Sequence, residues 1–192
     1  MTADRATEQA IENASQLVTA LSPDGDWGAF TGDQDSATLR SVRDPKATPV
    51  SIAPASWKAS FSPDSRWLAF SVDGPTNKIV VIPVPYDGRR FEVASDEGDQ
   101  PRWFPDGRRL AYKRGRQFMV IDLTLGEHGL EPGRPRPFAE GPFPRVLGWS
   151  YDIGADGRVL TFINADEPSA PHLNVITDFP ELVRRKAPEP SK

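Results

Sequence analysis

Ser62-Pro63-Asp64-Ser65-Arg66-Trp67-Leu68-Ala69-Phe70 decides the fold, because the chain repeats this phrase. An earlier copy reads Ser22-Pro23-Asp24-Gly25-Asp26-Trp27-Gly28-Ala29-Phe30. Two later copies read Phe104-Pro105-Asp106-Gly107-Arg108-Arg109-Leu110-Ala111-Tyr112 and Gly154-Ala155-Asp156-Gly157-Arg158-Val159-Leu160-Thr161-Phe162. Their first residues lie 40, 42 and 50 positions apart. A period of that length marks a repeat architecture, in which each unit is one supersecondary element that cannot bury its faces alone. Pro-Asp-Gly is a turn: proline presets φ, aspartate favours the turn backbone and glycine accepts the positive φ that follows. Each copy is therefore read as a tight corner between two strands.

The residues after the corner alternate. Leu68 and Phe70 are expected on one face and Trp67 and Ala69 on the other, so the strand is apolar on both sides and buried on both. Lys78-Ile79-Val80-Val81-Ile82, a Tyr86-Asp87-Gly88 turn and Arg90-Phe91-Glu92-Val93 complete a unit of four short strands. The third unit continues through Phe118 to Leu123 and a longer Gly/Pro loop, Gly126 to Pro137, before a last strand near Phe138. The fourth continues through Leu173-Asn174-Val175-Ile176. The first is the weakest, with Thr38 to Val42, then Pro49 to Ile52, and Gly28 where the second copy has Leu68. An antiparallel four-stranded sheet covered on both faces by equivalent sheets is a β-propeller blade. The expectation is an all-β propeller at 15–177, with blades near 15–54, 55–98, 99–146 and 147–177. Trp67, Leu68, Phe70, Trp103, Leu110, Tyr112, Trp149, Leu160 and Phe162 are its expected core.

Residues 1–14 form an amino-terminal tail; Ala6, Ala10 and Ile11 sit near helical spacing, so a short helix and a frayed tail both fit. From Asp178, Phe179-Pro180-Glu181-Leu182-Val183-Arg184-Arg185 reads as a short carboxy-terminal helix, with Pro180 in its first turn and arginines near its end. Ala187 to Lys192 reads as disordered. Twenty prolines in 192 residues suit many short strands and argue against long helices. The net charge of −4, with both signs interspersed, offers no footprint for nucleic acid. The absence of cysteine excludes disulfides, thiolate metal sites and a cysteine nucleophile. Residues 1–14 lack the apolar core of a signal peptide, and no run approaches the roughly 20 apolar residues of a membrane helix.

The corner with its following strand resembles the TolB-type, WD-like β-propeller repeat (the PD repeat) of bacteria. From Phe61 to Arg185 the chain is similar to the carboxy-terminal propeller of bacterial eukaryotic-like serine/threonine kinases and related membrane sensors. The resembling stretches are Phe61 to Phe70, Gln100 to Gly107, Pro135-Arg136-Pro137-Phe138, Ser150-Tyr151-Asp152-Ile153, Leu173 to Ile176, and Phe179-Pro180-Glu181-Leu182. The resemblance implies a non-catalytic interaction or sensor module that binds a protein or peptide partner, often outside the cytoplasm. Kinase chemistry in that family lies in a separate domain, and its Gly-rich loop, His-Arg-Asp and Asp-Phe-Gly are absent from this chain. Family propellers usually have six or more blades, so four units imply a small ring or an incomplete one. An incomplete ring exposes apolar faces and strand edges, which points to a larger propeller or to completion by a second copy.

No catalytic, metal or cofactor residue is assigned. Gly148-Trp149-Ser150-Tyr151 approaches the nucleophile elbow of prolyl-oligopeptidase-type hydrolases, which also carry propellers, but Asp152 replaces the required glycine. The bases on offer are His128 and His172. Trp149 and Tyr151 read more simply as core residues of the fourth blade. Asp24, Asp26, Asp33 and Asp35 lack calcium-loop spacing. Asp64, Asp106 and Asp156 recur with the corner and read as structural. Glu127 and His128 read as a solvated loop. Arg108, Arg109, Arg114 and Arg116 lie near one hairpin, either as solvated strand edges or as an anion- or partner-binding patch. The remaining alternative is a small-molecule or glycan site at the central channel, where the blade-to-blade loops converge.

Overall fold

A computed structural model describes residues 17–31, 36–44, 46–53, 58–126, 129–143, 146 and 148–163. The amino-terminal tail, Leu173 to Ile176 and the expected carboxy-terminal helix lie outside these residues. The described chain is all β. The first sheet comprises β1 (Leu17–Leu21), β2 (Trp27–Thr31), β3 (Ala37–Ser41) and β4 (Val50–Ala53), antiparallel in sequence order. The second repeats that order with β5 (Ala59–Phe61), β6 (Trp67–Val72), β7 (Lys78–Pro83) and β8 (Phe91–Ala94). The third comprises β9 (Asp99–Trp103), β10 (Arg109–Arg114), β11 (Gln117–Gly126), β12 (Gly129–Pro132) and β13 (Arg136–Glu140). In the fourth, β14 (Tyr151–Ile153) pairs with β15 (Val159–Thr161).

The first strands of successive sheets meet, β1 with β5, β5 with β9 and β9 with β14. Sheets whose leading strands converge while their faces stack form consecutive blades of a β-propeller. The alternation along β6 sets the stacking. Leu68 and Phe70 pack with Ala29, Leu39 and Ile52 of the first sheet. Trp67 and Ala69 pack with Leu110, Tyr112 and Ile121 of the third. Burying each of the large side chains contributes about 1.5–3 kcal/mol, so the inter-sheet layers hold the blades together. Trp103 adds a tie, its indole N–H donating to the Ser60 carbonyl at 3.0 Å.

The corners share one backbone solution. Their fourth residues, Gly25, Ser65, Gly107 and Gly157, have φ of 78°, 61°, 64° and 78°. In each corner the aspartate caps the turn, accepting at Oδ1 from the amide two residues on: Asp26, Arg66, Arg108 and Arg158. In the first three corners the leading amide donates to the carbonyl five residues on, Ser22 to Trp27, Ser62 to Trp67 and Phe104 to Arg109. The fourth closes one residue sooner, Gly154 to Arg158 at 2.8 Å.

That difference corrects part of the expected core. Phe61 pairs with Leu68 and Trp103 with Leu110, but Ile153 pairs with Val159 instead of Leu160. A one-residue slip turns every side chain of a strand to the opposite face. Val159 therefore packs on the third sheet, and Leu160 and Phe162 point away, 78% and 66% exposed. Trp149 precedes β14 and is half-buried, its ring covered by the Arg102 guanidinium at 3.7 Å. Trp67, Leu68, Phe70, Trp103, Leu110 and Tyr112 are buried as expected.

The third sheet departs from four strands. Within the expected Gly126 to Pro137 loop, β12 pairs with β11 and buries Leu130 beside Leu123. Phe91 of the second sheet packs against this hairpin, so close to Gly129 (φ 134°) that an added Cβ would lie 2.6 Å from its ring. Gly28 is not a gap either, because the Phe30 ring occupies the space where its Cβ would project.

Candidate functional site

Each blade has a corner end, carrying the repeated turns, and a loop end, carrying the blade-to-blade connections. At the loop end the connection from the second sheet to the third, 95–98, stands beside the β6–β7 loop and the β10–β11 turn. Between them lies a cleft of about 340 Å³ lined by Pro75, Thr76, Asn77, Glu97, Asp99, Gln100, Lys113, Gly115 and Val146. Pro75, Thr76, Glu97, Gly115 and Val146 form an exposed rim, and Gln100 and Lys113 form a buried floor.

The segments that carry its lining are fixed by hydrogen bonds. The Lys58 ammonium donates to Asp99 at 2.7 Å. The Tyr112 hydroxyl donates to both Asp96 oxygens at 2.9 and 3.0 Å, and Arg114 donates to the same carboxylate at 2.6 Å. Burial, then the Asp96 carboxylate, hold the Tyr112 phenol well above its ordinary range, so it stays a donor. Arg114 also donates to Gln117, which donates to Glu140. Gly98 is required by close approach, since a Cβ there would lie 2.6 Å from Ile79. Glu97 and Gln100 both adopt left-handed backbone, φ 64° and 56°. Such backbone costs a non-glycine residue on the order of 1 kcal/mol and concentrates at binding sites.

Gln100 was invisible as a key residue in sequence, because nothing marks a left-handed glutamine. Its side-chain oxygen accepts from the Ser150 amide at 2.7 Å and the Ser150 hydroxyl at 2.8 Å, and its carbonyl accepts from the Tyr151 hydroxyl at 2.7 Å. Ser150 is thus fully buried and bound to an amide oxygen, and Tyr151, its phenol pushed up by complete burial, packs on Phe118. The segment 148–151 locks the fourth sheet to the third.

The corner aspartates serve their turns. Asp24 is held below the usual carboxylate range by the Ser22 hydroxyl, then the Asp26 amide. Burial pushes Asp106 up, but the Arg108 amide and the Arg109 guanidinium outweigh it and the net shift is downward. Asp156 is lowered by the Arg158 amide, then its guanidinium. Asp26 pairs with Arg43, while Asp33 and Asp35 lie outside the described residues, as do Glu127, His128 and His172. Among the described residues, no three of His, Cys, Asp and Glu group as a metal ion requires. The four arginines do not form one patch. Arg108 and Arg109 stand at the corner end, where Arg109 pairs with Asp106 and covers Phe104. Arg114 and Arg116 stand at the opposite end of β10. A second hollow of about 730 Å³ at the corner end is lined by Asp64, Asp106 and their turns, and by the root of the β11–β12 hairpin. Its carboxylates already cap their own corners.

No protein-family model and no curated protein matches the chain. Solved structures do. A Bacteroides uniformis protein designated a 6-phosphogluconolactonase aligns at 17% identity over 76% of this chain and 46% of its own, with a TM-score of 0.50. A Bacteroides fragilis protein of the same designation aligns at 13% identity over 75% and 46%, also at 0.50. TolB from Acinetobacter baumannii aligns at 17% identity over 79% and 39%, at 0.49. The chain spans less than half the length of these structures. The likeness at 0.50 is one of fold alone, and it agrees with the blade stacking described above.

Proposed function

We propose that this chain is a non-catalytic β-propeller binding module that receives a protein or peptide segment in the loop-end cleft between its second and third blades. The observation that carries the reading is the cleft itself: an exposed rim over a buried Gln100–Lys113 floor, with Asp99 of its lining held by Lys58 and Asp96, next to its Glu97, held by Tyr112 and Arg114. Preformed polar groups around an open groove fix orientation and select among partners. The buried, amide-bound Ser150 supports a role without nucleophilic chemistry. The resemblance to kinase-associated propellers supports placing the module in a signalling protein as its sensor.

The size and polar floor of the cleft also favour a second reading, a small polar ligand such as a glycan. Peptide-display selection on the wild-type chain and on Thr76→Trp/Val146→Trp, which fills the rim, separates the two. Peptides retained by the wild type and lost by the filled variant support the proposal. Peptides retained equally by both place recognition elsewhere. Glycan-array binding that the filled variant loses, with no peptide enriched, favours the second reading.

A further inference from the structure

We infer, on the reading of the loop-end cleft as a peptide site, that the segment it receives is basic and that Glu97 on the rim selects it. The connection from the second sheet to the third, with the first residue of β9, carries three carboxylates in four residues, Asp96-Glu97-Gly98-Asp99. Two of them are neutralised within the chain. Asp96 accepts from the Tyr112 hydroxyl and from the Arg114 guanidinium at 2.6 Å. Asp99 accepts from the Lys58 ammonium at 2.7 Å through one oxygen and from the Gln100 amide at 2.8 Å through the other. Glu97 stands between them on the cleft rim, exposed, and no ion pair or side-chain hydrogen bond engages it among the described residues.

The backbone that presents this carboxylate is fixed from both sides. Glu97 is left-handed at φ 64°, the Gly98 amide donates to the Asn77 carbonyl at 3.2 Å, and the anchored Asp96 and Asp99 flank the pair. Asn77 belongs to the β6–β7 loop and also lines the cleft. Positioning before binding lowers the ordering cost of a contact. The other lining charges are Asp99, already paired, and Lys113, which lies in the buried floor. The rim is therefore where the charge of a ligand meets an unpaired one. A ligand cation there is attracted by Glu97, and a ligand carboxylate there meets like charge. A lysine or arginine side chain at the rim supplies to Glu97 what Lys58 and Arg114 supply to its neighbours.

Random-sequence peptide display on the wild-type chain and on Thr76→Trp/Val146→Trp identifies the clones that need the cleft. Those clones should be enriched in lysine and arginine over the input library. A synthetic peptide of one such sequence should bind Glu97→Gln roughly three- to fivefold more weakly than wild type, the size expected for loss of an exposed charge pair. The affinity that remains should depend less on salt. Glutamine already occupies left-handed backbone at Gln100, so the urea midpoint of this variant should not change. Glu131→Gln removes the same charge from β12 at the corner end and should leave binding unchanged. Display on Glu97→Lys should shift the enrichment towards aspartate and glutamate. Cleft-dependent clones with no excess of lysine and arginine overturn the basic segment. A Glu97→Gln that binds no more weakly than Glu131→Gln, or an unshifted enrichment in Glu97→Lys, overturns the role of Glu97; either result leaves the cleft as a peptide site. A selection without any cleft-dependent clone overturns the peptide reading, and the basic segment with it.

Discussion

Gln100→Ala removes the acceptor that joins the third and fourth blades. The side-chain oxygen receives two hydrogen bonds, both from Ser150, and Ser150 is fully buried. Truncation leaves a buried amide and a buried hydroxyl without that acceptor, each at about 1–3 kcal/mol. The left-handed backbone at φ 56° remains strained in alanine, so nothing offsets the loss. The expected destabilisation is about 2–5 kcal/mol, read from urea unfolding at constant slope. Gln100→Gly loses the same bonds but relieves the backbone, and should be the milder variant by about 0.5–1 kcal/mol. Hydrogen exchange adds a local readout: the Ser150 amide should lose protection, while amides of β6 and β7 keep theirs relative to global unfolding. An unchanged urea midpoint in Gln100→Ala, or an alanine variant more stable than the glycine one, would refute the latch.

Leu110→Ala, at a fully buried position between the second and third sheets, should cost about 2–5 kcal/mol in urea unfolding, and no change would contradict the stacked-blade core. Gly129→Ala combines a φ of 134° with a Cβ 2.6 Å from the Phe91 ring, so it should destabilise by about 1–3 kcal/mol and increase proteolysis of the β11–β12 hairpin. Acid should weaken the fold through the corners: Asp24, Asp106 and Asp156 are lowered from 3.8 in the folded chain, so the unfolded chain binds more protons as pH falls through that value. Their contribution is present above about pH 4 and is lost as pH drops through the lower folded values. The urea midpoint should therefore fall between about pH 5 and pH 2, less steeply in Asp106→Asn; a flat midpoint would remove the corner carboxylates from the account.

Much of the fold was legible because the corner is a local solution. Asp64 and Asp106 cap their own turns, and the φ demanded at Gly25, Gly107 and Gly157 is met by the residue that accepts it most readily. Alternation in Trp67-Leu68-Ala69-Phe70 then fixed which faces meet. The fourth corner was misread because its early closure removes one residue between hydrogen-bonded partners while leaving the phrase intact, and that single residue turns Leu160 and Phe162 outward. The β11–β12 hairpin was hidden because its pairing depends on Phe91 in another blade, a tertiary contact that overrides the Gly/Pro reading of 126–137. The cleft was the least visible feature. The sequence offers the central channel only as an alternative ligand site and does not point to a cleft between two blades: Glu97 and Gln100 carry no glycine to mark their backbone, and Lys113 looks like any polar strand-end residue. The arginines near one hairpin fit either solvated strand edges or a patch, and β10 rules out a single patch by running between the two pairs.

The claim that recognition takes place in the loop-end cleft is tested most directly by amide chemical-shift mapping during titration with a peptide retained by the display selection. The account predicts saturable shifts at Asn77, Glu97, Asp99, Gly115 and Val146, with the corner amides of Asp64, Gly107 and Gly157 unmoved. Shifts centred on the corner turns, with the loop-end amides unmoved, would contradict it.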